Sequence, residues 1–167
     1  YKRIALKAVK LPTLKDYKLT WKTILRSSGI GSFIGVLPAE GGTVASLIGY
    51  SEAKRWSKNP SEFGKGSIEG IAGAEAANNA ATGGAMVPTL ALGIPGSATT
   101  AVILTGLIIH GVRPGPDLFR EQPEFLYGIF GAMLMANILF FIFGFFGAKI
   151  FARITLIPNK LLWPMIF

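Results

Sequence analysis

Glu75, Asn78 and Asn79 stand together in the stretch "EAANNAATGG", surrounded by alanine, glycine and threonine. On a helix the two asparagines fall three and four residues after the glutamate, so all three side chains share one face. A carboxylate and two amide oxygens form a donor set for a hard cation such as Na⁺, and Glu75, Asn78 and Asn79 are the candidate sodium ligands. The competing use is structural, with the same side chains joining helices through hydrogen bonds. Enzymatic chemistry has little foothold. There is no cysteine and one histidine, His110. "GIPGS" does not match the nucleophile elbow, and "GIGSFIG" has neither the glycine spacing nor the preceding strand of a dinucleotide fingerprint. Gly31 and Gly35 in that run suit close helix contact instead.

What must position these residues depends on the solvent. Half of the 167 residues are hydrophobic and 16% are charged, against about a quarter charged in a soluble domain. Residues 27–50 carry only Glu40, residues 70–111 only Glu75 and His110, and residues 125–148 no charge at all. A helix needs about 20 mostly apolar residues to cross the hydrocarbon layer. The expected class is therefore all-α, a polytopic transmembrane helical protein embedded in a lipid bilayer. "NKLLWPMIF" reads as the start of a further, truncated span, and the chain as a piece of a larger membrane protein. The net charge of +8 is spread over clusters that flank the apolar stretches, as juxtamembrane loops are. It lacks the aromatic and basic spacing of a nucleic-acid surface, so no nucleic-acid partner is expected.

Charge also ranks topologies. If residues 27–50 cross simply, Lys and Arg divide 11 inside against 6 outside; if they enter and return on one side, the division is 15 against 2. The positive-inside rule favours the second, a re-entrant hairpin, over one kinked span. Its tip would be "LPAEGGTVAS", where Pro38 and the Gly41–Gly42 pair break a helix and Thr43 caps a second arm. A second irregular region lies between residues 66 and 111, with expected breaks at "NNAATGG" and at "PTLALGIPGSATT". Ser97 or Thr99 would cap the helix that follows, and His110 would mark its end. Backbone of this kind survives at membrane depth only under cover of protein or water. Freed carbonyls and half-helix ends there form the pattern in which secondary transporters hold ion and substrate. Tyr127 and Trp163 suit the interfacial aromatic belt.

Residues 29–119 carry a continuous likeness to one family. The hairpin-tip glycines, "FGKG..EG", "EAANNA" with "LGIPGS", and "HG..PGP.LF" together closely resemble the large membrane subunit of the tripartite tricarboxylate transporters. The resemblance implies about a third of such a subunit, and one inverted repeat of an elevator-like secondary transporter. It implies a multi-pass protein of the bacterial inner (cytoplasmic) membrane that works with a small membrane subunit and a periplasmic substrate-binding protein. Tricarboxylates or related carboxylates, citrate among them, would be taken up with a coupling ion, commonly Na⁺, and no other cofactor. The family's binding role would fall on Pro38, Gly41, Gly42 and Thr43 at the tip, and on Glu75, Asn78, Asn79, Gly93, Pro95, Gly96 and Ser97 in the second region.

Two positions depart from the family's usual pattern. Ala39 replaces the glycine after Pro38, which disfavours a left-handed turn there. Ala74 replaces a proline before Glu75, which lets the helix continue and moves any kink to residues 79–84. The expected organisation is a basic cytoplasmic segment (1–28), a transmembrane transport region (29–148), and a cytoplasmic loop leading to a truncated span (149–167). The function expected is ion-coupled carboxylate transport and not enzymatic catalysis. The alternative is a non-transporting scaffold or sensor subunit on the same fold. A channel is disfavoured because no rings of pore-lining charge are visible.

Overall fold

The structure, a computed structural model, describes the backbone of residues 11–38 and 41–154 and side chains through residue 148. Ala39, Glu40, the first ten residues, Trp163 and the expected further span lie outside the described residues. Every element is helical: α1 (Leu14–Val36), α2 (Gly41–Trp56), a 3₁₀ turn (Pro60–Glu62), α3 (Ile68–Leu92), α4 (Ala98–Ile109), α5 (Pro116–Glu121) and α6 (Pro123–Ile154). No strand occurs among the described residues.

Residues 12–126 form one compact unit, and residue 127 onward belongs to another. Helix α1 begins in a capping box: the Asp16 N–H donates to Thr13 Oγ1 (3.3 Å), and the Thr13 N–H and hydroxyl both donate to Asp16 Oδ2 (2.7 Å each). It runs on through residues 28 and 29 to Val36. Leu37 leaves the helical region at φ −76°, ψ 122°, because the ring of Pro38 disfavours helical backbone in the residue before it. The chain reverses within a few residues, and α2 starts on Gly41 at φ +62°, a left-handed conformation that glycine adopts without a Cβ penalty. Thr43 does not cap this arm: the helix has already begun two residues earlier, and Thr43 lies exposed in its first turn.

Helix α3 is the centre of this unit. Gly31 and Gly35 of α1 lie against Ala77 and Ala81, and Thr23 lies against Gly73, so α1 and α3 run in the same direction. Gly49 and Ala53 of α2 meet Ala77 and Gly73 in the opposite order, so α2 is antiparallel to both. A Cβ on Gly31 or Gly35 would overlap the carbonyl of Ala77 or Ala81, and one on Gly49 would sit 2.6 Å from the Gly73 carbonyl oxygen. Ala45, Ala77 and Ala81, with Ile34, form the sealed centre. Packing of this type depends on backbone approach and van der Waals contact more than on bulk, as helices must in a medium already apolar.

The expected break at "NNAATGG" is absent. Helix α3 continues without interruption from Ile68 to Leu92, even through Pro88. Gly84 is buried against the Ser32 carbonyl and Gly35, so its missing side chain admits α1, and the contact offsets its poor helix propensity of about 1 kcal/mol. The break at the second motif is present: α3 stops at Gly93, whose φ is +68°, and α4 restarts at Ala98 behind the Ser97 cap. His110 is the C-cap of α4, as its position suggested.

Helix α6 is the one described helix both long and apolar enough to cross a bilayer by itself, over Pro123–Ala148. Helices α1 and α3, with 23 and 25 residues, have the length, at about 35 Å each, but not the apolarity. Beside this one clear span, α1, α2 and α3 form a bundle packed through small residues.

Candidate functional site

The hairpin tip reaches the asparagine block. A Cβ on Gly42 would overlap Asn78 Oδ1, so the side-chain amide of α3 fills the space that glycine leaves at the start of α2. These residues are 36 positions apart in sequence, and they meet because the chain between α2 and α3 reverses direction and lays the two helices antiparallel. Gly41 lies next to this contact in its left-handed conformation. Pro38 sits on the exposed side of the turn and Thr43 is exposed just beyond it.

Glu75, Asn78 and Asn79 occupy one exposed strip of α3, with Thr82 one turn further on. The buried strip of the same helix carries Gly73, Ala77 and Ala81. The Asn79 amide nitrogen donates to the Glu75 backbone carbonyl at 2.9 Å, which leaves the Asn79 side-chain oxygen facing outward. The Thr82 hydroxyl donates to the Asn78 carbonyl at 3.4 Å. The Glu75 carboxylate accepts no hydrogen bond from the described residues. Carboxylate and amide oxygens thus line up along about one turn, with the start of α2 at one edge. No group of three acidic, histidine or cysteine side chains that could hold a metal occurs among the described residues, so any cation here would rely on amide and backbone oxygens beside the single Glu75 carboxylate.

The second motif packs on α3 further along. Gly96 is buried against Ala85, where a Cβ would meet Ala85 atoms at 2.8–2.9 Å. Its N–H donates to Thr89 Oγ1 (3.3 Å), and the Thr89 hydroxyl donates to the Ala85 carbonyl (2.7 Å). Ser97 and Thr100 form a reciprocal capping box, with Ser97 N–H to Thr100 Oγ1 at 2.8 Å and Thr100 N–H to Ser97 Oγ at 3.2 Å. Gly93 provides the left-handed stop, and its N–H donates to the Pro88 carbonyl. Pro95 lies half-buried between them. The Gly115 N–H also returns to this region, to the Leu90 carbonyl at 2.9 Å. Asn78 and Ala85, the two landing points on α3, are seven residues apart, about 10 Å along the axis. An open cleft of about 620 Å³ lies elsewhere, lined by Arg120–Phe125, and holds none of these residues.

Sequence reasoning passed over Thr89, which is fully buried and ties the "GIPGS" loop to α3. Its visible signal was its place between Pro88 and the glycine-proline cluster. Arg26 was passed over as well; its guanidinium lies 5.2 Å over the Trp56 ring, clasping α1 to the end of α2.

The family model described as the tripartite tricarboxylate transporter TctA family matches residues 2–167. The chain belongs to this family. Among curated relatives, the TctA-family chain is 39% identical over 152 residues to an uncharacterized 52.8 kDa protein in the TAR-I ttuC' 3' region of Agrobacterium vitis, covering 91% of the chain and 30% of the relative. It is 43% identical over 136 residues to an uncharacterized protein in the TAR-II ttuC' 3' region of the same organism, covering 81% of the chain and 56% of the relative. The chain therefore spans about a third to a half of these relatives' length. No solved structure matches. TctA is a transporter family, not an enzyme family, and the motifs described above lie inside the matched residues.

Proposed function

We propose that the protein is the large membrane subunit of a secondary transporter of the bacterial inner membrane, taking up tricarboxylates or related carboxylates with a coupling ion, Na⁺ in preference to H⁺. Family membership supports the transport role, and the family's tripartite character supports a small membrane subunit and a periplasmic binding protein as partners. The observation that carries the site is the meeting of Gly42 with the Asn78 side chain. It sets the turn of a helical hairpin against a helix bearing Glu75, Asn78 and Asn79. In this reading α1 and α2 enter and return on the cytoplasmic side, and the unit is one of two inverted repeats that move as an elevator. The amide oxygens of Asn78 and Asn79 and the Glu75 carboxylate hold the ion. The backbone at Pro38, Gly41, Gly42 and Thr43 faces the substrate from one side, and that of Gly93, Pro95, Gly96 and Ser97 from the other. Amide oxygens match Na⁺, which takes neutral oxygen ligands without any need for a proton.

The test is uptake of labelled citrate into vesicles holding the full-length subunit and its partner subunit, with the binding protein supplied outside. An imposed Na⁺ gradient should drive uptake. Glu75→Gln should lower gradient-driven uptake at least tenfold while the protein still inserts, and Asn78→Ala should raise the Na⁺ concentration needed for half-maximal uptake. Uptake by Glu75→Gln with unchanged ion dependence would return Glu75 to helix packing. Carboxylate binding without any gradient-driven movement would favour the scaffold reading.

A further inference from the structure

The first half of α1 carries two faces that the transport site does not use. Leu14, Tyr17, Trp21 and Leu25 recur at intervals of three and four residues and form one exposed stripe, with Leu14 81% and Leu25 65% exposed. Lys15, Lys18, Lys22 and Arg26 recur at the same intervals and form a second stripe, displaced by about 100° around the axis because each residue advances by that angle. The three lysines are exposed. Thr20, Thr23 and Ser27 occupy the third face and are buried. The lone acid of this helix, Asp16, is held in the capping box with Thr13, so a single carboxylate stands against Lys15, Lys18, Lys22 and Arg26 on α1. The Lys22 ammonium lies 5.5 Å over the Trp21 ring, setting cation and aromatic edge side by side.

The geometry points to a binding surface for anionic phospholipid headgroups on the first three turns of α1. A stripe of leucine with tryptophan and tyrosine beside a stripe of lysine matches the boundary of one leaflet, where acyl carbon and headgroup phosphate lie within a side chain's reach. Tryptophan and tyrosine favour that boundary because each has an apolar body and a polar tip. The lysines supply the charge complementarity, each contributing on the order of a fivefold preference at an anionic surface. An acidic partner protein would match the lysines but leave the leucine stripe unexplained. The inference rests on membrane residence of the chain and not on its transport activity.

The experiment places the full-length protein in vesicles of phosphatidylcholine containing a minor fraction of photoactivatable phosphatidylglycerol or photoactivatable phosphatidylcholine, and quantifies adducts on residues 11–28 by mass spectrometry. The expected ratio of phosphatidylglycerol to phosphatidylcholine adducts is about fivefold or more, falling toward one with Lys15→Gln, Lys18→Gln and Lys22→Gln combined. The corresponding triple arginine variant, which keeps the charge, should retain the preference. Equal labelling in the unsubstituted protein would overturn the proposal, whatever the variants do. So would a preference that survives the glutamine substitutions, or one abolished by millimolar inorganic phosphate, which would assign the lysines to a soluble anion. Loss of the preference once the partner membrane subunit is added would mean that a protein covers this face, and would also overturn it.

Discussion

Gly31 and Gly42 look interchangeable in a list of small residues, yet their surroundings differ in kind. The space beside Gly31 is closed by the backbone carbonyl of Ala77, and the space beside Gly42 by the side chain of Asn78. A carbonyl inside a helix cannot move without moving the helix, whereas an asparagine can change rotamer. Gly31→Ala should therefore destabilise the bundle by about 1–3 kcal/mol, read as a lower thermal unfolding midpoint of the detergent-solubilised protein. Gly29→Ala, with nothing within 4 Å, should not lower the midpoint and should raise it slightly, because alanine is the better helix former. Gly42→Ala should leave the fold intact but displace Asn78, and so shift the ion dependence of uptake by severalfold. A fall in stability as large as that of Gly31→Ala, with normal ion dependence, would make Gly42 a packing residue only.

At the scale of elements, two junctions carry predictions of opposite character. Thr89 joins α3 to the loop before α4 by accepting the Gly96 N–H, while its own hydroxyl donates back to the Ala85 carbonyl of the same helix. Thr89→Val keeps the shape but leaves the buried Gly96 N–H without its acceptor, a cost of about 1–3 kcal/mol. The expected outcome is faster amide exchange at Gly96 and Ser97 with α1 and α2 unaffected. The start of α1 is exposed and titrates. Hydrogen bonds from the Thr13 backbone and hydroxyl hold the Asp16 carboxyl below the usual carboxylate value, with a smaller effect of Lys15. A carboxyl lowered by folding adds stability that is present above its unfolded value and lost as pH falls through the folded one. Amide exchange at residues 14–17 should accordingly rise as the medium is acidified through that range. In Asp16→Asn the same amides should show no such acid-induced rise.

The helix ends at Pro38 and Gly93 were legible because local chemistry decides them: a proline acts on its neighbour, and a glycine admits a left-handed residue. Gly83–Gly84 shows where local reading stops. In an isolated helix that pair is a weak point; here Gly84 is a contact surface, and the partner that makes it so lies about fifty residues away.

For the whole molecule, the sidedness of the segment between α2 and α3 is decisive. Lys58→Cys should react with an impermeant maleimide only from the cytoplasmic side if α1 and α2 form a re-entrant hairpin. Reaction from the periplasm would make the pair a crossing and would exchange 15 against 2 for 11 against 6 in the distribution of Lys and Arg. The apolar helix over Pro123–Ala148 was evident from composition alone, since length and hydropathy are sums over neighbouring residues. So was the all-helical class, and the grouping of Glu75 with Asn78 and Asn79 on one face follows from a helical period, whereas the family was legible only as a motif resemblance over residues 29–119. Tertiary structure decided that α3 runs unbroken, that glycines seat α1 and α2 upon it, and that Gly42 meets Asn78. Those outcomes depend on contact between segments tens of residues apart, and the free energy of such contact is a property of the pair, not of either stretch read alone.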